Sequence, residues 1–353
     1  MTFGLVAAGR LGGRRLARGS LALATGLAVG TVGLAWLAAR SLVMPRRREP
    51  VRTPGDLGLP FSSLDMAGAD DVNLAAWWIP ADRPRGGIVL VHGFRSSRDE
   101  MLDHAPYLHD AGFDVLLYDA RACGLSGGAM STLGWRETSD LRAVIDHLEQ
   151  WTDGRPLAVM GHSLGAAVAI LEGADDPRVR AFILEAPFTA IEDVIDRGFR
   201  HFTRPSLPVF PFAPLTVRLA EARVGQHRSA VRPIDVIDRL APRPALLVSG
   251  SEDPFVYPDD ARRFAERAGP SCTLWLIPDA VHPGGEQDPY RSATTEYQAR
   301  VLALLDGAVP ARTARRRRPQ AGRSVAAASA AGASAAPPDP ATTTSRKAGS
   351  SVA

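Results

Sequence analysis

The chain has 353 residues and a formal net charge of +3, but its charge is segregated. Residues 1–52 hold nine Arg against one Glu, residues 311–353 hold eight Lys or Arg against Asp339, and the stretch between them is left at −12. An acidic central segment argues against a nucleic-acid partner, and two cysteines in so long a chain do not make a disulfide framework.

From Gly19 to Ala39 run 21 residues without a charge, between Arg10, Arg14, Arg15 and Arg18 on one side and Arg40, Arg46, Arg47 and Arg48 on the other. That length suffices to cross a hydrocarbon core, which predicts a single-pass anchor in the cell membrane near 19–39. A cleaved signal peptide is the rival reading. Leu37 spoils the small-x-small site that would end at Ala39, which favours the anchor. The arginines on the two sides nearly cancel under the positive-inside rule, so the side on which the rest of the chain lies is left open. Basic flanks of this kind suit anionic lipid headgroups.

Past this segment, a hairpin is predicted near 61–79, then strands at 87–92, 113–118, 156–160, 179–184, 244–248 and 273–277. Helical patterns fall between them, near 98–111, 135–150, 164–173, 258–267 and 289–306. Strands alternating with helices predict an α/β domain over residues 53–310, with a mostly parallel sheet covered on both faces and the hairpin as its antiparallel edge. Phe188 to about Leu240 breaks the alternation with some fifty residues where connections are normally about 2–6 long. Its Phe199, Phe202, Phe210 and Phe212, with Pro205, Pro208, Pro211 and Pro214, suggest an inserted cap near 188–240, with Phe210 and Phe212 facing substrate. The bland reading is that these aromatics only hold the insertion to the core. Residues 311–353, basic at Arg315–Arg318 and then rich in Ala, Ser, Pro and Thr, are expected to be disordered.

Chemistry concentrates at strand ends. Gly161-His162-Ser163-Leu164-Gly165 lies between the apolar run Leu157–Met160 and the small-residue stretch Ala166–Leu171, the setting of a nucleophile elbow. Ser163 needs a base, and the base needs an orienting acid. Of eight histidines, His92 follows a strand directly, His162 sits inside the elbow, His104, His109 and His147 fall on predicted surface helices, and His201 and His227 lie in the insertion. His282 remains, in the loop after the strand 273–277. Asp253 follows the strand 244–248, with Glu252 as the alternative. The order Ser163, Asp253, His282 is that of α/β-hydrolases. Oxyanion donors are expected from the Leu164 amide and from the Phe94 amide in Val91-His92-Gly93-Phe94. Arg95 and Arg98 are either anchors for an anionic substrate group or solvated helix-start residues. Cys123 is either a redox-sensitive thiol or a small buried loop residue.

On V-H-G-F at 91–94, D-A-R-A-C-G-L-S at 119–126, G-H-S-L-G at 161–165, G-S-E-D at 250–253 and His282, the chain resembles serine hydrolases of the α/β-hydrolase fold superfamily. The similarity spans roughly residues 60–306 and points to serine-aminopeptidase-like or monoglyceride-lipase-like members, including membrane-anchored ones of the Bem46 type. It departs at Ala122 and Cys123, where members usually carry Gly and His, and at Val281, where Gly is frequent. The resemblance implies a carboxylic ester hydrolase, with thioesters or amides as related substrates, forming an acyl-enzyme on Ser163. The partner expected is a small, apolar acyl substrate. No metal or organic cofactor is called for, and the histidine spacings offer no zinc motif. The alternatives are an acyltransferase on the same fold and a non-catalytic binding module.

Overall fold

Apolar residues at every position, rather than at every second one, mark strands covered on both faces. The computed structural model, which describes residues 4–44, 46–202, 209–285 and 287–310, shows this directly. The expected disordered tail, Pro205, Pro208 and the side chain of Phe202 lie outside the described residues.

After a long N-terminal helix α1 (Gly4–Val43) come β1 (Ser62–Ala67), β2 (Asn73–Ile79), β3 (Gly86–Val91), α2 (Ala105–Asp110) and β4 (Phe113–Tyr118). Next follow α3 (Trp135–Trp151), β5 (Leu157–His162), α4 (Leu164–Gly173) and β6 (Val179–Glu185). The chain then runs through α5 (Ile191–Phe202), α6 (Val209–Val224), β7 (Ala245–Gly250), α7 (Pro258–Ala268), β8 (Cys272–Ile277), α8 (Pro289–Ser292) and α9 (Thr294–Ala308). The strands form one sheet in the order β1-β2-β4-β3-β5-β6-β7-β8. The hairpin β1–β2 is its antiparallel edge, β2 runs antiparallel to β4, and every other pairing is parallel. All residues of β3, β4, β5 and β7 are buried, whereas the edge strand β1 alternates.

Strand side chains alternate between faces, so each strand feeds two cores. Val89, Val91 and Val159 pack with residues of α3, α4 and α7, together with Ala39 and Val43 of α1. Ile88, Leu90 and Met160 pack on the opposite face with α2 and α9.

Two predicted helices are broken. The segment 98–111 opens as a tight 3-10 stretch, Arg98–His104, before α2, whose first turn holds Pro106; proline cannot supply the amide that would continue the preceding turns. The segment 289–306 breaks at Ala293, which adopts φ −145°, ψ 41°. The insertion folds as α5, α6 and three short 3-10 turns.

Helix α1 is long and apolar enough from Ser20 to Val43 to cross a membrane. Its end is fastened to the domain. Ala35, Ala39 and Val43 are buried, α1 packs along α6, and its last carbonyls, which have no partner within the helix, are met from outside. Arg95 donates to the Ser41 carbonyl (2.6 Å) and the Ser131 amide to that of Val43 (2.8 Å).

One close approach fixes the centre of the sheet. A Cβ on Gly165 would stand 2.2 Å from the Val91 carbonyl oxygen, and one on Gly161 2.5 Å from the Gly165 backbone. Gly165→Ala is therefore expected to destabilise the chain by about 1–3 kcal/mol, the usual range for overpacking, read as a lowered urea midpoint with an unchanged slope.

Candidate active site

Strand β5 ends at His162 and α4 begins at Leu164, so Ser163 must turn the chain alone. It does so at φ 48°, ψ −110°, a region that costs a non-glycine residue about 1–3 kcal/mol. Its amide donates to the Glu185 carbonyl at the end of β6 (2.8 Å), and its carbonyl accepts from Ala167 in α4 (3.0 Å). Two neighbouring elements thus hold the strained turn.

The side chains expected around it arrive from the ends of β7 and β8. His282 Nδ1–H donates to Asp253 Oδ2 (2.7 Å), which leaves Nε2 to accept from Ser163 Oγ (2.8 Å). Asp253 is buried, and its other oxygen accepts the amides of Phe255 (2.8 Å) and Val256 (3.0 Å), which fixes the carboxylate plane. Glu252, the alternative, is exposed. The Phe255 ring packs edge-on against the imidazole, centroids 5.1 Å apart.

Phe94 and Leu164 both line the space above Ser163. Leu164 is the first residue of α4, where a helix leaves its amides without internal acceptors. The Phe94 loop is set by its neighbours. His92 Nδ1–H donates to the Gly93 carbonyl (2.7 Å), its Nε2 accepts the Ala120 amide (2.9 Å), and the Glu100 carboxylate accepts the Gly93 amide (2.6 Å).

A cavity of about 490 Å³ opens over this line of groups, and most of its lining is apolar. Helix α5 supplies Ile191, Val194, Ile195 and Phe199; α1 supplies Ala38, Ser41 and Leu42. Phe210 and Phe212 do not line it, contrary to expectation. Phe210 is 79% exposed, and Phe212 is buried behind Phe199 with ring centroids 5.3 Å apart. Proline-interrupted segments carry no helical periodicity from which to read a facing side. Phe199 takes the role, with Phe188 and Phe255 from the strand ends.

Arg98 is neither solvated nor a substrate anchor. It is buried, 3.0 Å from Asp119 and stacked over Trp77 at 4.4 Å. Arg95 borders the cavity but donates to Ser41. Cys123 is buried, and burial pushes its thiol up to about 12, opposite to the lowered value that a redox-sensitive thiol needs.

His104, expected on the surface, is 1% exposed. With His162 and Glu185 it forms a buried cluster whose nitrogen and oxygen atoms lie within 4.8 Å of one another, the one group among the described residues with the donors to hold a cation. Two of its members form an ion pair by proximity: His162 Nε2 lies 2.8 Å from Glu185 Oε2 without hydrogen-bond alignment, and Tyr297 Oη donates to the same oxygen (2.8 Å). Burial alone would lower the His162 pKa, but the Glu185 carboxylate more than offsets it and raises the imidazole to about 9. Burial, with the neighbouring His162, holds His104 well below the usual range, hence neutral.

Strand order, the strained serine at the end of β5 and the converging imidazole and carboxylate define a class. The chain has the α/β-hydrolase fold. Residues 82–232 match the model of the family described as serine aminopeptidase, S33. Among relatives, protein YqkD of Bacillus subtilis is 29% identical over 233 residues, covering 62% of this chain and 72% of that protein. Protein bem46 of Schizosaccharomyces pombe is 25% identical over 248 residues, covering 66% and 76%. Among solved structures, the Pyrococcus furiosus esterase Pf2001 matches with TM-score 0.64 at 25% identity, over 76% of this chain and 98% of that one.

The His162–Glu185 pair gives stability a pH dependence. His162 binds its proton more tightly in the folded chain than at its ordinary value of 6.5, so the contribution is complete below about pH 6.5 and is lost as pH rises through about 9. Glu185→Gln should remove about 3 kcal/mol of this pH-dependent stability, so the wild-type midpoint in chemical denaturation falls between pH 6.5 and 9 while that of the variant stays flatter.

Proposed function

We propose that the chain is a membrane-anchored serine hydrolase that cleaves a carboxylic ester through an acyl-enzyme on Ser163. The observation that carries this reading is the hydrogen-bonded line Ser163–His282–Asp253 at the floor of an apolar cavity. His282 takes the serine proton as Oγ attacks the acyl carbonyl, and Asp253, held by two amides, stabilises the imidazolium that forms. The Phe94 and Leu164 amides receive the oxyanion, where preorganised donors act more strongly than in water. His282 returns its proton to the departing alcohol. A water, deprotonated by the same nitrogen, then releases the acid. The esterase named among the similar structures favours an ester over an amide.

The lining favours an acyl chain. Helix α5 presents Ile191, Ile195 and Phe199, and Gly198 leaves open space beside them, with nothing within 4 Å of where a side chain would start. The chain is proposed to comprise a basic anchor segment (1–52), the hydrolase domain (53–310) with its cap near 188–240, and the tail (311–353). Helix α1 would hold it at the membrane.

A fluorophosphonate probe should label the wild-type chain and leave Ser163→Ala unlabelled; labelling that survives would move the nucleophile elsewhere. Gly198→Phe, which fills part of the acyl space, should lower kcat/KM for p-nitrophenyl decanoate by about tenfold or more, the scale on which a crowded apolar pocket discriminates, while the acetate ester is cleaved nearly as before.

A further inference from the structure

The uncharged run Gly19–Ala39 would span about 31 Å as a helix, close to the hydrocarbon thickness of about 30 Å. Part of that run is docked on the domain. Leu21, Leu23, Leu27 and Val29 are each about two-thirds exposed, but Ala35 is fully buried against the domain and Ala39 nearly so. Both alanines lie inside the uncharged run, so a bilayer that covers the whole of it must reach down to the turns already docked on the cap.

The cap is shaped for that depth. Arg223, near the end of α6, reaches the Met44 sulfur just past the end of α1 (3.2 Å), and the two helices pack along each other, so they run in the same direction. The N-terminal end of α6 therefore lies beside the part of α1 that is leaving the domain. Phe210, at 79% the most exposed large apolar side chain among the described residues, lies at that end of α6, where the backbone departs from helical geometry, and Trp36 and Leu37 on α1 are about half exposed. Trp36, in the last uncharged turns, fits the belt that Trp forms at a membrane surface, and Phe210 adds an exposed apolar ring beside the uncharged run. The same turns wall the cavity: Ala38 lies within the uncharged run, and Ser41 and Leu42 follow within a turn.

We infer that the cavity opens at the boundary between headgroups and acyl chains of the membrane leaflet, and that it takes its substrate sideways from the lipid, an acyl ester resident in the bilayer rather than dissolved in water. The last turns of α1 are then both the end of the anchor and one wall of the acyl site. The substrate class rests on the hydrolase reading above; the depth of the cap does not.

The test uses the full chain in phosphatidylcholine vesicles. An NBD label on Phe210→Cys should be quenched by acyl-brominated phosphatidylcholine at least about threefold more than one on Asp259→Cys, as expected for a residue at interfacial depth; equal quenching overturns the inference whether or not the chain hydrolyses anything. Phe210→Asp, which lies outside the cavity, should lower cleavage of a long-chain fluorogenic ester embedded in the vesicles by about tenfold, because membrane association scales with buried apolar area, and should leave p-nitrophenyl acetate hydrolysis in detergent within about twofold. Loss on both esters, or on neither, overturns lateral entry. A wild-type chain that binds vesicles with Phe210 at depth, yet cleaves neither ester and takes no fluorophosphonate, sinks the hydrolase reading and leaves the membrane placement standing.

Discussion

Everything at the site depends on three backbones meeting without side chains between them. The end of β3, the end of β5 and the first turn of α4 approach so closely that a single methyl on Gly165 would overlap the Val91 carbonyl. That contact drives α4 down onto the sheet and forces the intervening Ser163 into a conformation other residues avoid. The strain lifts Oγ above the strand ends, where the loops after β7 and β8 bring Asp253 and His282. The same approach sets Leu164 at the start of α4 beside the Phe94 loop. Packing, strain and chemistry are here one constraint.

Behind the serine lies a second constraint of a different kind. Burying a protonated imidazole is costly unless a charge answers it, and Glu185 answers His162 at 2.8 Å while Tyr297 satisfies the same oxygen. Glu185 also accepts the Ser163 amide through its carbonyl, so one residue supports the elbow by backbone and by side chain. The pair lies next to Ser163 yet is separate from the hydrogen-bonded line Ser163–His282–Asp253.

Ser163, Asp253 and His282 were legible because their signals are local: each follows a buried apolar strand, and the elbow glycines announce a turn. The sheet was legible for the same reason, since short, mostly apolar runs between turn signals have few other readings. What could not be read are facings decided at long range. Phe210 and Phe212 lie two apart in a proline-rich stretch, so nothing local says that one meets solvent and the other Phe199. His104 reads as a surface residue because its helix is short and polar, and only the fold brings it to His162. Arg98 looks free until Asp119, 21 positions on, folds over it. One missed signal was present: Ala35, Ala39 and Val43 recur every four residues, a small-residue stripe of the sort that lets helices approach.

That stripe changes what α1 is. A helix serving only as a tether needs no specific contact with the domain it carries, and its last carbonyls would be left to water. Here they are met by Arg95 and by the Ser131 amide, and Arg47, just beyond, donates to the carbonyls of Ser126 and Gly128. The small faces of Ala35 and Ala39 are closed against the domain, and Ala38 and Leu42 complete a cavity otherwise walled by α5 and the strand-end loops. Taking α1 away would uncover that apolar seat and open one side of the space above Ser163 to water, where the acyl transfer proposed there would lose the dry surroundings that strengthen its electrostatics. Such a helix is better described as an element of the hydrolase that happens to be long enough to cross a membrane than as an address attached to it.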